Sequence, residues 1–274
     1  MNTEIKLAVH GAAGRMGRRV VALAAEDSDF RLAAAIDSED SPTIGQDAGL
    51  VAGVSSMNCQ VSQDWPEDLD VVIDFSLPEA IDACIDHCVQ SNTALVVATT
   101  GLSASQKQRL QEAAKSIPVV WAPSMSLAVN LCMRISQQIT RALANVPGGT
   151  DIEIIERHHR FKADAPSGTA LRFGELIAEA SETLNQHVHG REGHTGARSA
   201  SEIGYHAIRT GDDPGQHTIL FGMLGEKIEL NVAASNRDCY ASGALAAGKW
   251  LLRSNDDGRQ TPGVYNMFHV LGLD

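Results

Sequence analysis

The sequence predicts an α/β protein in which a doubly wound parallel sheet is combined with a second, α+β domain built on a mixed sheet. Three observations support this prediction. Short apolar segments typical of buried strands alternate with helical segments over residues 1–126. A glycine-rich turn separates the first predicted strand from the first predicted helix. The alternation then ends, and two or three strands follow one another within residues 203–233.

The glycine-rich turn has the spacing of a dinucleotide-binding turn. The elements around it are a strand, a helix and a second strand, at residues 5–9, 15–25 and 32–36. Gly11 permits a tight turn, Gly14 lets a pyrophosphate approach the backbone, and Gly17 lets the helix pack closely on the sheet. Asp37 follows the second strand, where a carboxylate accepts hydrogen bonds from ribose hydroxyls. The order of these features predicts a Rossmann-type unit.

Further elements continue the alternation, whereas residues 38–66 give no clear pattern. Strands are predicted at residues 70–75, 94–99 and 118–122, and helices at residues 78–90 and 103–116. Ligands of doubly wound sheets lie at the carboxyl ends of the strands. The predicted cofactor-binding residues are therefore Gly11, Ala12, Ala13, Gly14, Arg15, Met16, Asp37, Ala98, Thr99, Thr100, Ala122, Pro123, Ser124 and Met125.

The pattern changes after the long predicted helix at residues 127–145. A strand at residues 151–157, a helix that starts at Ser167, and a polar loop at residues 187–200 precede the later strands. A small-residue helix at residues 241–252 returns to the first domain. We therefore predict a dinucleotide-binding domain of residues 1–126 and 236–274, and a substrate-binding and oligomerisation domain of residues 127–235.

A basic cluster lies at the end of the strand that opens the second domain. Its members are Arg157, His158, His159, Arg160 and Lys162, in a chain whose net charge is −12. The helix that follows is capped by Ser167, so Gly168 and Thr169 present backbone N–H groups at its positive end. The segment combines proton donors with an anion-binding cradle, which predicts a site for a carboxylate or phosphate.

Composition excludes several classes of partner. A pI near 5.2 argues against nucleic acid and anionic membranes, and no apolar run is long enough to span a bilayer. The N-terminus lacks the apolar core of a signal peptide, and the five scattered cysteines are typical of reduced thiols, so we expect a cytoplasmic protein. His187, His189 and His194 lack a completing acid or cysteine, and no metal site is predicted.

The chain resembles the dihydrodipicolinate reductase family of bacterial and plant lysine biosynthesis. The resemblance is most specific at residues 11–17 and 156–170, and residues 191–196 also match the family's loop. Two positions depart from it: Ala98 stands where glycine is common, and Ser124–Met125 where asparagine and phenylalanine or similar are common.

The resemblance implies an activity. Hydride passes from NAD(P)H to C4 of a cyclic imine that carries two carboxylates, and water is lost from the hydroxylated precursor. It assigns His158 as the acid with Lys162 assisting, while His159, Gly168 and Thr169 suit the substrate carboxylates. Strand alternation places His158 and His159 on opposite faces unless the strand has ended, so spacing does not choose between them. The resemblance also implies a homotetramer.

The residues after the second strand bear on the choice of cofactor. Asp37 suits the ribose hydroxyls of NADH, and Ser38 stands where family members that use both cofactors often carry arginine. Glu39 and Asp40 add negative charge, while Arg15 in the glycine turn and Arg18 in the helix after it could reach a 2′-phosphate. NADH is therefore the predicted preferred cofactor, with NADPH possible.

Two other functions fit parts of the pattern. A semialdehyde dehydrogenase with a similar two-domain plan needs a nucleophilic cysteine, for which Cys132 is the nearest candidate, although it lies in an apolar helical run. A non-catalytic nucleotide sensor needs only the first domain, since fold alone does not determine function. The basic cluster argues against a sensor, which needs no proton donors there.

Overall fold

The computed structural model describes residues 4–253 and 259–273, and the chain divides into two units. The first unit runs to Leu127 and resumes at Arg237, whereas the second spans Ala128–Asn236. The sequence-based division, after residues 126 and 235, lies one residue before each of these points. Each unit has its own sheet.

Strands and helices alternate as far as the second unit, except that β4 follows β3 with no helix between them. They are β1 (Ile5–His10), α1 (Arg15–Ala25), β2 (Phe30–Ile36), α2 (Ala48–Ala52), β3 (Val61–Ser62), β4 (Val71–Asp74), α3 (Ile81–Gln90), β5 (Ala94–Val97), α4 (Ala104–Ala113), β6 (Pro118–Trp121) and α5 (Leu127–Ala142). The second unit continues with β7 (Asp151–His158), α6 (Gly168–Glu179), β8 (Gln186–His189), β9 (Glu202–Arg209), β10 (Gln216–Met223) and β11 (Glu226–Ala233). The chain then forms α7 (Asp238–Leu252), β12 (Gly263–Tyr265) and α8 (Met267–Leu271).

The sheet of the first unit has seven strands, all parallel, in the order β12-β6-β5-β4-β1-β2-β3. Side chains of α1 and α7 pack on one face, and those of α3 and α4 pack on the other. Strands covered on both faces read as continuous apolar runs, as β4 and β5 do. The predicted doubly wound parallel sheet is confirmed. The strand order reverses between β1 and β4, which is where ligands bind in such sheets.

The glycine turn brings α1 close to the end of β1. Gly11 has φ +76°, and a Cβ atom there would lie 2.8 Å from the carbonyl oxygen of Phe75. A Cβ atom on Gly17 would lie 2.0 Å from the carbonyl oxygen of Gly11. Only glycine fits this packing of helix against turn, as the sequence pattern predicted.

Four local predictions need correction. The unassigned segment 38–66 contains α2 and the short edge strand β3, whose two residues are too few to show alternation. The helix predicted at residues 78–90 begins with a separate 3₁₀ turn, Pro78–Ala80. The predicted loop 187–200 starts within β8, and β12 and α8 were not predicted. These elements are two to five residues long, so they present too little periodicity to be recognised.

The sheet of the second unit is mixed, as predicted, with the order β11-β10-β7-β9-β8. β7 is antiparallel to β10 and parallel to β9. Ile152 and Ile154 of β7 lie on the same face as Ile219 and Phe221 of β10, and all four are buried. α6 contributes Phe173, Leu176 and Ile177, which are also buried. β11 keeps Lys227, Glu229 and Asn231 exposed on the other face.

Two findings bear on the class of protein. Cys59, Cys84, Cys88, Cys132 and Cys239 are all free thiols. Within the described ranges, no helix combines the length and apolar character that a membrane crossing requires.

Candidate active site

The first unit contains a cavity of about 930 Å³ at the carboxyl ends of its strands. Its wall includes most of the residues predicted to bind a cofactor: Gly11, Gly14, Arg15, Met16, Asp37, Ala98, Thr99, Thr100, Pro123, Ser124 and Met125. The cavity therefore joins the glycine turn, the end of β2 and the turns after β5 and β6 in one space. Its position at the reversal of strand order is the expected place for a ligand.

Three of the predicted residues do not line this cavity. Ala12 and Ala122 follow the ends of β1 and β6, and both are buried in the hydrophobic core beneath the cavity. Ala13 acts through its backbone instead, since its N–H donates to Asp37 Oδ2 at 2.7 Å. Ser38 and Glu39, considered above for the choice of cofactor, also line the wall, as does the turn Phe75–Ser76–Leu77 at the end of β4. Residues of the wall that the sequence reasoning missed are His10, Gln63, Trp65, Ala80, Ala83 and Tyr240. Most are scattered along the chain without a motif.

Asp37 is held in a fixed orientation at the end of β2. One carboxylate oxygen accepts from the N–H of Ala13, and the other accepts from the N–H of Ser38 at 2.9 Å. Arg18 is also engaged, because its Nε donates to the carbonyl oxygen of Ala13 at 2.7 Å. Arg15 is exposed and lies on the cavity wall. Of the two arginines considered for a phosphate, Arg15 is therefore the better placed.

A buried carboxylate links three strand ends below the cavity. Asp74 is fully buried, and its Oδ1 lies 2.8 Å from Nδ1 of His10 and 2.6 Å from Oγ of Ser76. Its Oδ2 accepts from Oγ1 of Thr99 at 2.6 Å. These bonds tie the ends of β1, β4 and β5 together. An acid at the end of a buried apolar strand was the sequence signal for this network.

The second unit has a separate site near the carboxyl end of its central strand, β7, beside the N-terminus of α6. Glu156 and His158 lie on the α6 face of β7, and the register of neighbouring strands places Arg209 and His217 on the same face. Glu156, His158 and His217 are buried. We call these four residues, with Ser167, the Glu156 network. Because alternate residues of a strand share a face, Glu156 and His158 follow the buried Ile152 and Ile154 on the same face of β7.

Glu156 is the centre of this network. Its two carboxylate oxygens each accept a hydrogen bond from Arg209 at 2.8 Å, and Oε2 lies 2.6 Å from Nδ1 of His158. Oε1 also accepts from the backbone N–H of Ser167 at 3.1 Å. Burial alone would raise the pKa of the Glu156 carboxyl, but the hydrogen bonds from Arg209 and His158 outweigh burial and hold that pKa below its usual range.

His217 lies beside His158 and is kept neutral. The two rings meet edge to face with centroids 5.2 Å apart. Burial, together with the neighbouring His158 and Lys162, lowers the pKa of His217 to about 4. Its Nε2 lies 3.0 Å from Oγ of Ser167, which also caps α6 by accepting from the N–H of Ala170. A neutral His217 therefore holds the hydroxyl of Ser167, the N-cap of α6, without adding positive charge beside His158.

The predicted substrate-binding residues belong to the loop after β7 and to the start of α6. β7 ends at His158, so His159 follows outside the strand, and its Nδ1 is buried with no hydrogen-bond partner. Lys162 Nζ lies 2.7 Å from the exposed Asp164 carboxylate, whose pKa this lysine lowers. Gly168 and Thr169 are the first residues of α6, where backbone N–H groups lack an acceptor within the helix. A Cβ atom on Gly168 would meet nothing within 4 Å.

Both histidines of the pair thus belong to one site, in different ways. His158 is on the sheet face with a fixed carboxylate partner, whereas His159 begins the loop that leads to Lys162. Buried polar groups are nearly always hydrogen-bonded, so the unpaired Nδ1 sets His159 apart from His158, whose Nδ1 has a carboxylate partner.

The alternatives based on cysteine and metal chemistry find less support. Burial raises the pKa of the Cys132 thiol, which opposes formation of a nucleophilic thiolate. His187, one of the three histidines considered as metal ligands, pairs through Nδ1 with the hydroxyl of Tyr205 at 2.7 Å. Among the described residues, the group whose ligand atoms do approach one another is His10, Asp74 and Cys84, within 4.8 Å. There the carboxylate is already occupied by the hydrogen bonds given above.

The parallel sheet with its glycine turn, together with a mixed-sheet unit that carries a histidine–lysine site, is typical of two-unit oxidoreductases. The chain belongs to the dihydrodipicolinate reductase family. The N-terminal family domain, described as "Dihydrodipicolinate reductase, N-terminus", matches residues 5–125, and the C-terminal domain matches residues 128–271. The two matches cover nearly the whole chain, so the resemblance found in the sequence is confirmed.

Relatives agree with this assignment, and a solved structure shares the fold. A 4-hydroxy-tetrahydrodipicolinate reductase of Rhodopirellula baltica is 66% identical over 98% of this chain and 96% of its own length. One of Alkalilimnicola ehrlichii is 44% identical over 98% of this chain and 99% of its own. A dipicolinate-bound dihydrodipicolinate reductase from Paenisporosarcina sp. TG-14 has the same fold, with a TM-score of 0.75 at 24% identity over 97% of this chain and 98% of that one.

Proposed function

We propose that this protein reduces 4-hydroxy-tetrahydrodipicolinate with NAD(P)H, giving tetrahydrodipicolinate and water in lysine and diaminopimelate biosynthesis. The observation that carries the proposal is the second-unit site, where Glu156 binds both a histidine and the cap residue of a helix N-terminus. The loop that follows this histidine carries His159 and Lys162. Kinship with relatives of the same activity at 66% and 44% identity supports it.

The first-unit cavity suits a nicotinamide dinucleotide. Gly11 and Gly14 line it without side chains, so a pyrophosphate can approach the turn and the N-terminus of α1. Asp37 is oriented by Ala13 and Ser38 to receive ribose hydroxyls. When bound, the cofactor supplies the hydride. The chain's own residues hold its phosphates and ribose, and we propose NADH as the preferred form with NADPH also accepted.

The second-unit site suits the two carboxylates of the substrate and the proton that the ring must gain. His159, Lys162 and the N–H groups of Gly168 and Thr169 offer donors for the carboxylates. We assign His158 as the acid that delivers the proton, because histidine can give a proton near neutral pH. Lys162 adds positive charge beside it. These donors are present before substrate arrives, so little reorganisation is needed during the reaction.

The activity is tested with a coupled assay. A synthase that makes the substrate from pyruvate and aspartate semialdehyde is mixed with the purified protein, and oxidation of NADH is followed by its absorbance. We expect NADH loss that depends on both the synthase and this protein. Oxidation that persists without the synthase, or none when both are present, would reject the proposed activity. Supplying aspartate semialdehyde with NADP⁺ and phosphate tests the dehydrogenase alternative in the same instrument.

The substrate-binding assignment has its own test. Pyridine-2,6-dicarboxylate, the dipicolinate named for the Paenisporosarcina structure, carries two carboxylates on a flat ring. We expect it to compete with the substrate and not with NADH. If it competes only with NADH, the assignment of the carboxylate-binding site to the second unit is wrong.

We propose a homotetramer in the cytoplasm as the working form. β11 is an edge strand on which Ile228 is 36% exposed, and Leu224 in the turn before it is 85% exposed. Apolar side chains at a sheet edge are a common feature of subunit interfaces. Light scattering of the purified protein gives the mass directly, and a monomer at micromolar concentration would reject the tetramer.

A further inference from the structure

We propose that Glu156, held by Arg209, is a positioning residue that makes Nε2 of His158 the nitrogen that delivers the proton to the substrate. The inference rests on the proposed reductase activity and adds a residue, a partner and a specific nitrogen to it. It follows from the geometry of the Glu156 network, and it can be tested separately from turnover.

The partners of Glu156 determine its charge. A guanidinium donates only, and it contacts both carboxylate oxygens of Glu156 at 2.8 Å. The backbone N–H of Ser167 donates to the same carboxylate. A carboxyl group with these donors around it carries no proton of its own. Glu156 is therefore an acceptor at every contact it makes.

An acceptor at 2.6 Å requires a donor on the histidine side. Nδ1 of His158 must therefore carry a hydrogen, whether the ring is neutral or charged. In the neutral ring Nε2 is then the unprotonated nitrogen, and in the charged ring Nε2 holds the proton that can leave. Proton transfer to a ligand is thus confined to Nε2, as in other carboxylate–histidine pairs.

The ring edge that carries Nε2 packs against a glycine rather than against a side chain. Gly215 faces this edge of the ring, and a Cβ atom there would lie 2.9 Å from Nε2 and 3.1 Å from Cδ2. Gly215 also has φ +136°, a region that other residues rarely adopt. A glycine at this place keeps side-chain atoms away from the nitrogen that exchanges the proton.

The same carboxylate also connects the acid to the carboxylate-binding donors. Through Oε1 it holds the N–H of Ser167, the residue that caps α6 and immediately precedes Gly168. One side chain therefore sets the distance between His158 and the first N–H groups of α6. We infer that Glu156 aligns proton delivery with substrate binding.

The ionisable groups that face His158 come from several elements. They are Glu156 of β7, Arg209 of β9, His217 of β10 and Asp213 of the loop before β10. Lys162 of the loop after β7 acts on the neighbouring His217. Asp213 is paired with Arg157, and His217 is neutral above about pH 4. Glu156 is thus the anion in direct hydrogen-bond contact with the His158 ring.

The first experiment substitutes Glu156→Gln, which keeps the shape and removes the charge. We expect kcat/KM to fall about 100-fold, with NADH binding unchanged because its cavity is in the other unit. The alkaline fall of the pH profile should move to lower pH, since the charged ring loses its carboxylate partner. An unshifted profile, with activity lost only in proportion to lost folded protein, would reduce Glu156 to a structural role and overturn the proposal.

Glu153→Gln is the matched control. Glu153 lies on the same strand but on the opposite face, where Arg191 donates to both of its oxygens and His206 Nε2 lies 2.7 Å away. Its substitution removes a similar arginine–carboxylate–histidine arrangement without touching His158. We expect stability to fall and the pH profile to stay. A profile shifted equally by both variants would show a general charge effect and contradict the proposal.

A spectroscopic measurement on the wild-type protein decides the question even if the variant does not fold. In protein labelled with ¹⁵N-histidine, the side-chain shifts of neutral His158 should show hydrogen on Nδ1 and a bare Nε2. His158→Asn identifies the resonance. Hydrogen on Nε2 with a bare Nδ1 would overturn the proposal whether or not the enzyme turns over. Failure of the coupled assay with the expected Nδ1–H would reject the function and leave the pairing intact.

Discussion

Each unit buries one carboxylate against a histidine, and the two pairs differ in their remaining partners. Asp74 holds Nδ1 of His10 at 2.8 Å, and Glu156 holds Nδ1 of His158 at 2.6 Å. Hydroxyl and backbone donors complete the first pair, whereas a backbone donor and the guanidinium of Arg209 complete the second. The difference teaches that a buried acid beside a histidine is not enough to indicate acid catalysis. The buried arginine contact and the adjoining N-terminus of α6 distinguish the pair in the second unit from the pair in the first.

The largest expected effect would separate the two sites by function. His158→Ala and Lys162→Ala should each lower kcat/KM by about 10²–10⁴-fold, because acid catalysis and preorganised charge are lost. NADH affinity, measured by fluorescence, should stay within a factor of about two, since the cofactor cavity lies in the first unit. If both variants keep more than half of the wild-type kcat/KM, proton delivery does not depend on these residues and the contrast between the sites fails.

A second prediction concerns the pH dependence of stability that His217 causes. The folded-state pKa of His217 is lowered from 6.5 to about 4, so the unfolded chain binds a proton more readily. The stability it contributes is complete above pH 6.5 and is lost as pH falls towards 4, by about 3 kcal/mol. Urea unfolding between these pH values should show the loss, and His217→Gln should flatten it. An equally steep dependence in the variant would assign the effect to other groups.

The smallest of these effects concerns the first-unit cavity alone. NADH should exceed NADPH in kcat/KM by about tenfold, equal to roughly 1.4 kcal/mol, because a 2′-phosphate would face Asp37 without a compensating cation. Ser38→Arg should narrow or reverse the preference, and Ser41→Arg nearby serves as a control for added charge. Equal use of NADPH by the wild type would show that Arg15 supplies the missing charge.

Much of the first unit could be predicted because its signals are local. Gly11 and Gly17 of the turn are each required by a close approach of backbone atoms, and buried strands show as apolar runs. The helix α1 was predicted with the bounds that the structure gives it. Short edge elements such as β3 and β12 were missed because their position depends on neighbours far away in the sequence.

The second-unit site was predicted only in part. The basic cluster and the capped helix are contiguous in sequence, so His158, His159, Lys162, Gly168 and Thr169 could be named together. Arg209 and His217 could not, because strand register alone brings them opposite the end of β7. Without Arg209, Glu156 reads as an ordinary strand residue. The pairing of β7 with β9 and β10 brings Arg209 and His217 to the site, and a single sequence does not reveal which strands pair.

Isotope transfer tests the central claim most directly. NADH is labelled with deuterium at nicotinamide C4, in the position from which the hydride is transferred. It is supplied to the wild-type protein with the coupled synthase, and the product is examined by NMR. The account predicts deuterium at C4 of the tetrahydrodipicolinate ring and, in deuterated water with unlabelled NADH, deuterium at the adjacent carbon instead. Oxidation of NADH without deuterium in the ring would contradict it, because the hydride would then have gone to another acceptor.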